Sequence, residues 1–210
     1  AQRLDSHFRF REIILVVDEN GYECYLPLVE QIADIRVFTT RQNNNYYIRR
    51  LIAAEEAIGD VVIIGSFDEI THIDFIQMLE QAGVQNAIVI ATRSDRHSLR
   101  SWLSTPIIAL GRAAGFKVNL NNLQTIAMPR SLLNQVLLHS DPELALRFPP
   151  RDPRLPLIYF YVDSSVPFKG VFYQFKRRVQ LIQKLLVYMA PILLMIVSLS
   201  STVLMLLGLS

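Results

Sequence analysis

Residues 12–18 read EIILVVD, and this run decides the fold. Five apolar residues, four of them β-branched, stand between two acids. A continuous run of that kind suits a strand buried on both faces, as in a parallel sheet. Three similar runs follow: IRVFTT (35–40), VVIIGS (61–66) and NAIVIAT (86–92). Helical patterns separate them. NNNYYIRRLIAAEEAIGD (43–60) carries Tyr47, Leu51, Ala54 and Ile58 at helical spacing, with Gly59 as a stop. THIDFIQMLEQAGV (71–84) offers Thr71 as N-cap, Ile73, Ile76, Met78 and Leu79 as an apolar side, and Gly83 as an end. Strands alternating with helices predict βαβ units. The expected fold is α/β: a Rossmann-like or flavodoxin-like, mostly parallel sheet with helices on both faces.

Further along, TPIIALGRAAGFKVNLNNL predicts a fifth strand at 106–110 and a sixth at 116–120, and SLLNQVLLH (131–139) an amphipathic helix after Pro129. The proline-rich RFPPRDPRLP (147–156) reads as an extended strap. PLIYFYVD (156–163) adds a strand that either returns to the sheet edge or pairs with a partner. Asp18-Glu19-Asn20-Gly21 has two readings. Asn-Gly between apolar runs signals a hairpin. Alternatively, strand one leads through an acidic turn into a helix over 22–32, with Pro27 in its first turn. The second reading is favoured.

The chain's net charge of +2 conceals a division. Residues 1–168 hold all 19 acids against 16 Lys and Arg, a net −3. Residues 169–210 hold Lys169, Lys176, Arg177, Arg178 and Lys184 and no acid, a net +5. A nucleic-acid binder carries its basic stripe on the folded domain, so nucleic acid is not an expected partner. Residues 185–210, LLVYMAPILLMIVSLSSTVLMLLGLS, contain no charge. That is longer than the roughly 20 residues a membrane helix requires. The five basic residues beside it are candidate membrane-interface residues and put the domain on the cytoplasmic side. VFYQFKRRVQLIQKLL (171–186) is either a helix lying along the headgroups or the cytoplasmic end of one long transmembrane helix. The organisation expected is a cytoplasmic α/β domain (1–146), a proline-rich strap with one more strand (147–168), a basic amphipathic juxtamembrane segment (169–184) and a single transmembrane helix (185–210). No apolar leader segment precedes the domain, and a bacterial inner membrane is the expected location. The lone Cys24 excludes a disulfide scaffold and reads as a small buried thiol.

In open α/β sheets ligands bind at the carboxyl ends of the strands. The candidates there are Asp18 and Glu19, then Gly65 and Ser66, then Thr92, Arg93, Ser94 and Asp95. An acidic pair after strand one and a Thr after a later strand resembles the layout of a phosphoacceptor receiver domain. The resemblance is carried by LVVDEN. In that family the third strand ends in the acceptor Asp; here it ends Gly65-Ser66. The resemblance implies at most a receiver-like module without its phosphoacceptor. No G-x-G-x-x-G or P-loop motif occurs, and the four His are scattered, so no cofactor, metal site or catalytic set is expected. RSDRHSLR (93–100) either grips a phosphate or an acidic partner, or caps and lines a helix. In 1–168, 15 arginines face one lysine, which suits planar, bidentate contacts.

The reading leans away from an enzyme. It describes a single-pass, membrane-anchored, non-catalytic subunit or scaffold whose partners are the lipid bilayer and other protein subunits. One alternative is a sensor binding a nucleotide or small phosphorylated ligand at the strand ends. Another is an enzyme acting on a membrane-embedded or nucleotide-linked substrate.

Overall fold

The structure is a computed structural model that describes residues 4, 6–32, 34–41, 45–66, 69, 71–94, 108–119, 121–162 and 171–208, without the side chains of 171–178, 203, 204 and 206–208. Among the described residues six strands form: β1 (Ile13–Asp18), β2 (Ile35–Thr40), β3 (Val61–Ile64), β4 (Ile88–Arg93), β5 (Asn122–Pro129) and β6 (Leu157–Val162). The helices are α1 (Leu26–Gln31), α2 (Tyr46–Glu56), α3 (Phe75–Gln85), α4 (Arg130–Leu137), α5 (Pro142–Arg147) and α6 (Val171–Gly208).

The chain is a mixed α/β fold. β1 and β2 pair in parallel as a two-stranded sheet, and the other four strands run in the order β3-β5-β4-β6. β4 and β6 are parallel, while β5 is antiparallel to both β3 and β4. The mostly parallel sheet expected of a Rossmann-like or flavodoxin-like fold is therefore formed only in part: β1–β2 and β4–β6 are parallel, and β5 runs against the direction of its neighbours. β1 is half-buried along its length rather than buried on both faces. Where a ladder from β1 towards β3 would begin, the Glu12 carboxylate instead accepts from the N–H groups of Ile58 (2.5 Å) and Gly59 (2.9 Å). Arg36 joins Glu12 at 2.7 Å and the Glu56 carbonyl at 2.5 Å.

Alternate residues of the larger sheet enter two cores, as the pleat requires. Ile88 and Ile90 of β4, with Val62, Ile64, Ile126 and Met128, pack under α2, α4 and α5. Val89, Ala91, Ala127 and Val162 pack under Met78 and Ala82 of α3 on the other face. Helices thus cover both faces.

Several local expectations shift. Asp18–Gly21 is not a hairpin: a 3-10 helix (Glu19–Tyr25) leads into α1, with Pro27 in the first turn, where its missing N–H is harmless. Cys24 lies exposed on this segment rather than buried. α3 is capped by Asp74, whose side chain accepts from Gln77 N, rather than by Thr71. It ends at Asn86 in the left-handed conformation, past Gly83. The strand expected at 106–110 is helical over 108–113, and of the strand expected at 116–120 the described residues 116–119 contribute a bridge between Phe116 and Pro150. Gly111 lies so close to Val118 that any Cβ there would collide with it. The strand that forms is β5, from residue 122. Within the segment 156–163, Leu157–Val162 returns to the sheet edge as β6.

α6 is one continuous helix of 38 residues, and it changes character at Pro191. Leu181, Leu185 and Met189 are buried, and Leu181 and Leu185 join the core under α4 and α5. Tyr188 stacks on His139 at 6.1 Å and meets Phe116 at 5.5 Å. Lys184 donates to Glu143. From residue 191 through 202 every residue is exposed, on all faces of the helix. This helix is long and apolar enough to span a membrane.

Leu185 is fully buried and Leu194 is 69% exposed. Leu185→Ala is expected to destabilise the domain by about 2–5 kcal/mol, the range for emptying a packed leucine site. Leu194→Ala leaves it unchanged. Urea unfolding in detergent, followed by near-ultraviolet circular dichroism, compares the two.

In the strap, Arg154 bridges Asp152 through its side chain (2.7 Å) and backbone N–H (2.9 Å). The side-chain bond first, then the backbone bond, lowers the Asp152 carboxyl from 3.8 to about 2. Because the folded value is depressed, the pair's contribution is present above the unfolded value and is lost as pH falls from about 4 through 2. Arg154 is exposed and Asp152 no more than half-buried, so solvent screens the pair and the contribution is small. Carbon NMR should place the Asp152 midpoint near 2, and Arg154→Ala should return it to the ordinary carboxylate range.

Candidate functional site

β5 begins beyond the point where β3 can reach it. The β3–β5 ladder starts at Ile64 opposite Ile126, which leaves residues 122–125 without a strand on that edge among the described residues. Their backbone groups are buried and must find partners elsewhere. Three charged side chains supply them. The Glu69 carboxylate accepts from Gln124 N (2.8 Å), Thr125 N (2.9 Å) and Thr125 Oγ1 (2.9 Å). Arg50 of α2 donates to the Gln124 carbonyl at 2.5 Å and to the Tyr46 hydroxyl at 3.1 Å. Arg147 of α5 donates to the Leu123 carbonyl at 2.9 Å and the Asn122 carbonyl at 3.1 Å.

On the β4 side the register shifts between Ile90 and Thr92, bringing Thr92 opposite Asn122. There the buried Thr92 hydroxyl donates to Asn122 Oδ1 at 3.0 Å. Ser66, also buried, follows β3 and Gly65, and its carbonyl accepts from Glu69 N at 2.9 Å, which sets the glutamate in place. Arg93 N donates to the Asn121 carbonyl (3.0 Å) and Ser94 N to that of Val162 (3.3 Å).

Two guanidinium groups and one carboxylate therefore meet around four residues of one strand. Burial lowers the Arg147 pKa; the neighbouring Tyr47 and Glu69 oppose that, and the Arg50 charge reinforces it. Among the described residues Arg50 Nε, Arg147 Nε and Asn122 Nδ2 are buried without a hydrogen-bond partner. The arrangement holds a strand and leaves a surplus of positive charge under it. Among the described residues no cluster of His, Cys, Asp and Glu could hold a metal ion.

The residues picked from sequence fall into two groups. Gly65, Ser66, Thr92, Arg93 and Ser94 gather at this edge of the larger sheet. Asp18 and Glu19 belong to the β1–β2 unit, where Arg49 holds Asp18 at 2.5 Å and Glu19 is exposed. Asp95, and with it most of 93–100, lies outside the described residues. Lys169 does too; Lys176, Arg177 and Arg178 fall within α6. Sequence reasoning missed Arg50, Glu69, Asn122, Thr125 and Arg147. One signal was available: Arg50 interrupts an otherwise apolar helix side between Tyr47 and Ala54, and Arg147 stands in the apolar stretch between Leu146 and Phe148.

No family model matches the chain, and no curated protein matches it significantly. A solved structure, 4-diphosphocytidyl-2C-methyl-D-erythritolsynthase from Anaerococcus prevotii DSM 20548, has a similar fold. The TM-score is 0.53 and the identity 11%, over 85% of this chain and 83% of that one. At that identity the likeness is one of fold alone, an α/β architecture shared with that synthase.

Glu69→Gln removes the charge that balances the arginines and one acceptor oxygen. It is expected to cost at least about 2 kcal/mol, since bonds to a charged acceptor contribute about 1.5–3 kcal/mol each. Arg147→Lys should not preserve stability, because one ammonium lacks the fork that spans two carbonyls. Denaturant midpoints of the two variants test both statements.

Proposed function

We propose that this chain is a membrane-anchored, non-catalytic α/β subunit. The observation that carries the reading is the state of the strand ends. Among the described residues, the polar side chains of Glu69, Arg50, Arg147, Thr92 and Asn122 at these strand ends all bond within the fold. A group held by the backbone of β5 cannot also move a proton or orient a reacting atom without releasing the strand. The all-round apolar exposure of α6 after Pro191 supports anchoring, because such a surface calls for lipid. Docking of residues 181–189 on the domain supports a fixed attachment rather than a flexible tether. The basic residues ahead of the span support a cytoplasmic domain in a bacterial inner membrane, and other protein subunits of that membrane are the partners this reading implies.

A second reading rests on a specific observation. Arg50, Arg147 and Asn122 retain unpartnered buried N–H groups at an edge with surplus positive charge. A nucleotide or other phosphorylated ligand fits that chemistry, and a similar fold carries a diphosphocytidyl chemistry in the synthase named above.

The readings separate in two experiments. Purification in mild detergent should return stoichiometric protein partners, with melting temperatures flat across cytidine, uridine and adenosine nucleotides. A saturable melting shift lost in Arg50→Met would install the ligand reading instead. Protease added to the cytoplasmic face of sealed, oriented membrane vesicles should digest the domain; protection would overturn the topology.

A further inference from the structure

We infer that the α4–α5 connector, led by Leu138, enters the lipid interface beside α6, so that the domain rests on the bilayer instead of standing off from it. This rests on the reading of α6 as a membrane anchor.

The contacts along α6 give the direction. Lys184 meets Glu143 at the start of α5. One turn later, about 6 Å along the axis at about 1.5 Å per residue, Tyr188 meets Ser140 (3.4 Å) and His139. Advancing along α6 thus moves back along the domain, from 143 to 140 and 139. The next residue in that direction is Leu138, which is 86% exposed and terminates α4. The next turn of α6 is where exposure becomes complete on every face. Leu138 therefore stands at the level where the helix leaves the protein.

The surroundings at this level have interfacial chemistry. Val187 and Leu186 are exposed apolar residues beside Tyr188. Tyr188 and His139 present stacked rings with polar edges, a form favoured where apolar and aqueous phases meet. Lys184 is already engaged by Glu143, so the contact here is apolar insertion rather than a charge held against headgroups. A second copy of the chain is the rival occupant. Lipid is favoured because the patch is continuous with the helix surface that the anchor reading already commits to lipid.

Nitroxide labels on the full-length chain, in a Cys24→Ser background, test this in phosphatidylcholine–phosphatidylglycerol vesicles. Leu138→Cys is the test site, Leu194→Cys reports the anchor, and Val84→Cys on α3, 87% exposed on the opposite sheet face, reports water. The reading is the ratio of collisions with oxygen to collisions with a water-soluble nickel chelate. Leu138 and Leu194 should both shift to the lipid side, and Val84 should stay aqueous. An aqueous ratio at Leu138 with a lipid ratio at Leu194 overturns the inference and leaves the anchor standing. An aqueous ratio at Leu194 overturns the anchor, and the inference with it. Low collision rates with both reagents at Leu138, together with spin–spin broadening, would assign the patch to a second copy and also overturn it.

Discussion

β5 runs antiparallel between β3 and β4, and half of one edge extends past its neighbour. A buried strand edge without a ladder is untenable unless other groups accept and donate its hydrogen bonds. Glu69, Arg50 and Arg147 do so from three different parts of the chain. This constraint places α2 and α5 where they are: each must hold an arginine over a carbonyl of residues 122–124. It also accounts for two like charges under one strand. Each guanidinium is stabilised by carbonyl acceptors and by an aromatic ring, Tyr46 at 5.7 Å for Arg50 and Phe148 at 4.9 Å for Arg147. The glutamate between them lowers the cost of their proximity.

α6 poses a second constraint. An amphipathic helix buries one stripe, and residues 179–190 do that against the domain. Beyond Pro191 there is no stripe to bury, because the exposed surface is apolar around the full circumference. Proline fits this change, since loss of one helical hydrogen bond is least disruptive where packing partners change. The run of uncharged residues from 185 onward is accordingly divided by the structure: Leu185 and Met189 serve the domain core, and the exposed part begins six residues later than the charge pattern alone indicates.

Strands β1, β3, β4 and β6 were legible because each coincides with an apolar run, β2 because Ile35, Val37 and Phe38 outweigh Arg36, and α2, α3 and α4 because their apolar periodicity is strong. β5 was not. Its first residues are Asn122, Leu123, Gln124 and Thr125, and side chains hold them in extended form where local preference does not. The charged clamp is illegible for a related reason. Its bonds join residues 50 with 124, 69 with 125 and 147 with 123, at separations of 74, 56 and 24 with no period among them. Asp18 and Glu19 looked like part of the same edge because a single parallel sheet would align all strand ends. Two separate hydrogen-bonded sheets do not, and Arg49 closes on Asp18 instead.

α5 connects the two constraints within six residues. Arg147 at its end holds β5, Glu143 in its first turn holds Lys184 of α6, and Leu144, Ala145 and Leu146 between them are buried in the shared core. A helix of under two turns, packed on three consecutive residues, transmits displacement rather than absorbing it. The strand edge and the base of the anchor are therefore stiffened together. For a fixed subunit this is a brace, because a domain locked to its helix presents one orientation to its neighbours. For a ligand-responsive domain the same helix would have to offer Arg147 a second position, and both carbonyls of residues 122 and 123 would need new donors when it moved. Arg50 Nε and Arg147 Nε belong to side chains that already bind β5, and Asn122 Nδ2 to a residue of β5 itself. A ligand could engage them without displacing that strand only by approaching from the side away from it, and this is the geometric condition that divides the two functional readings.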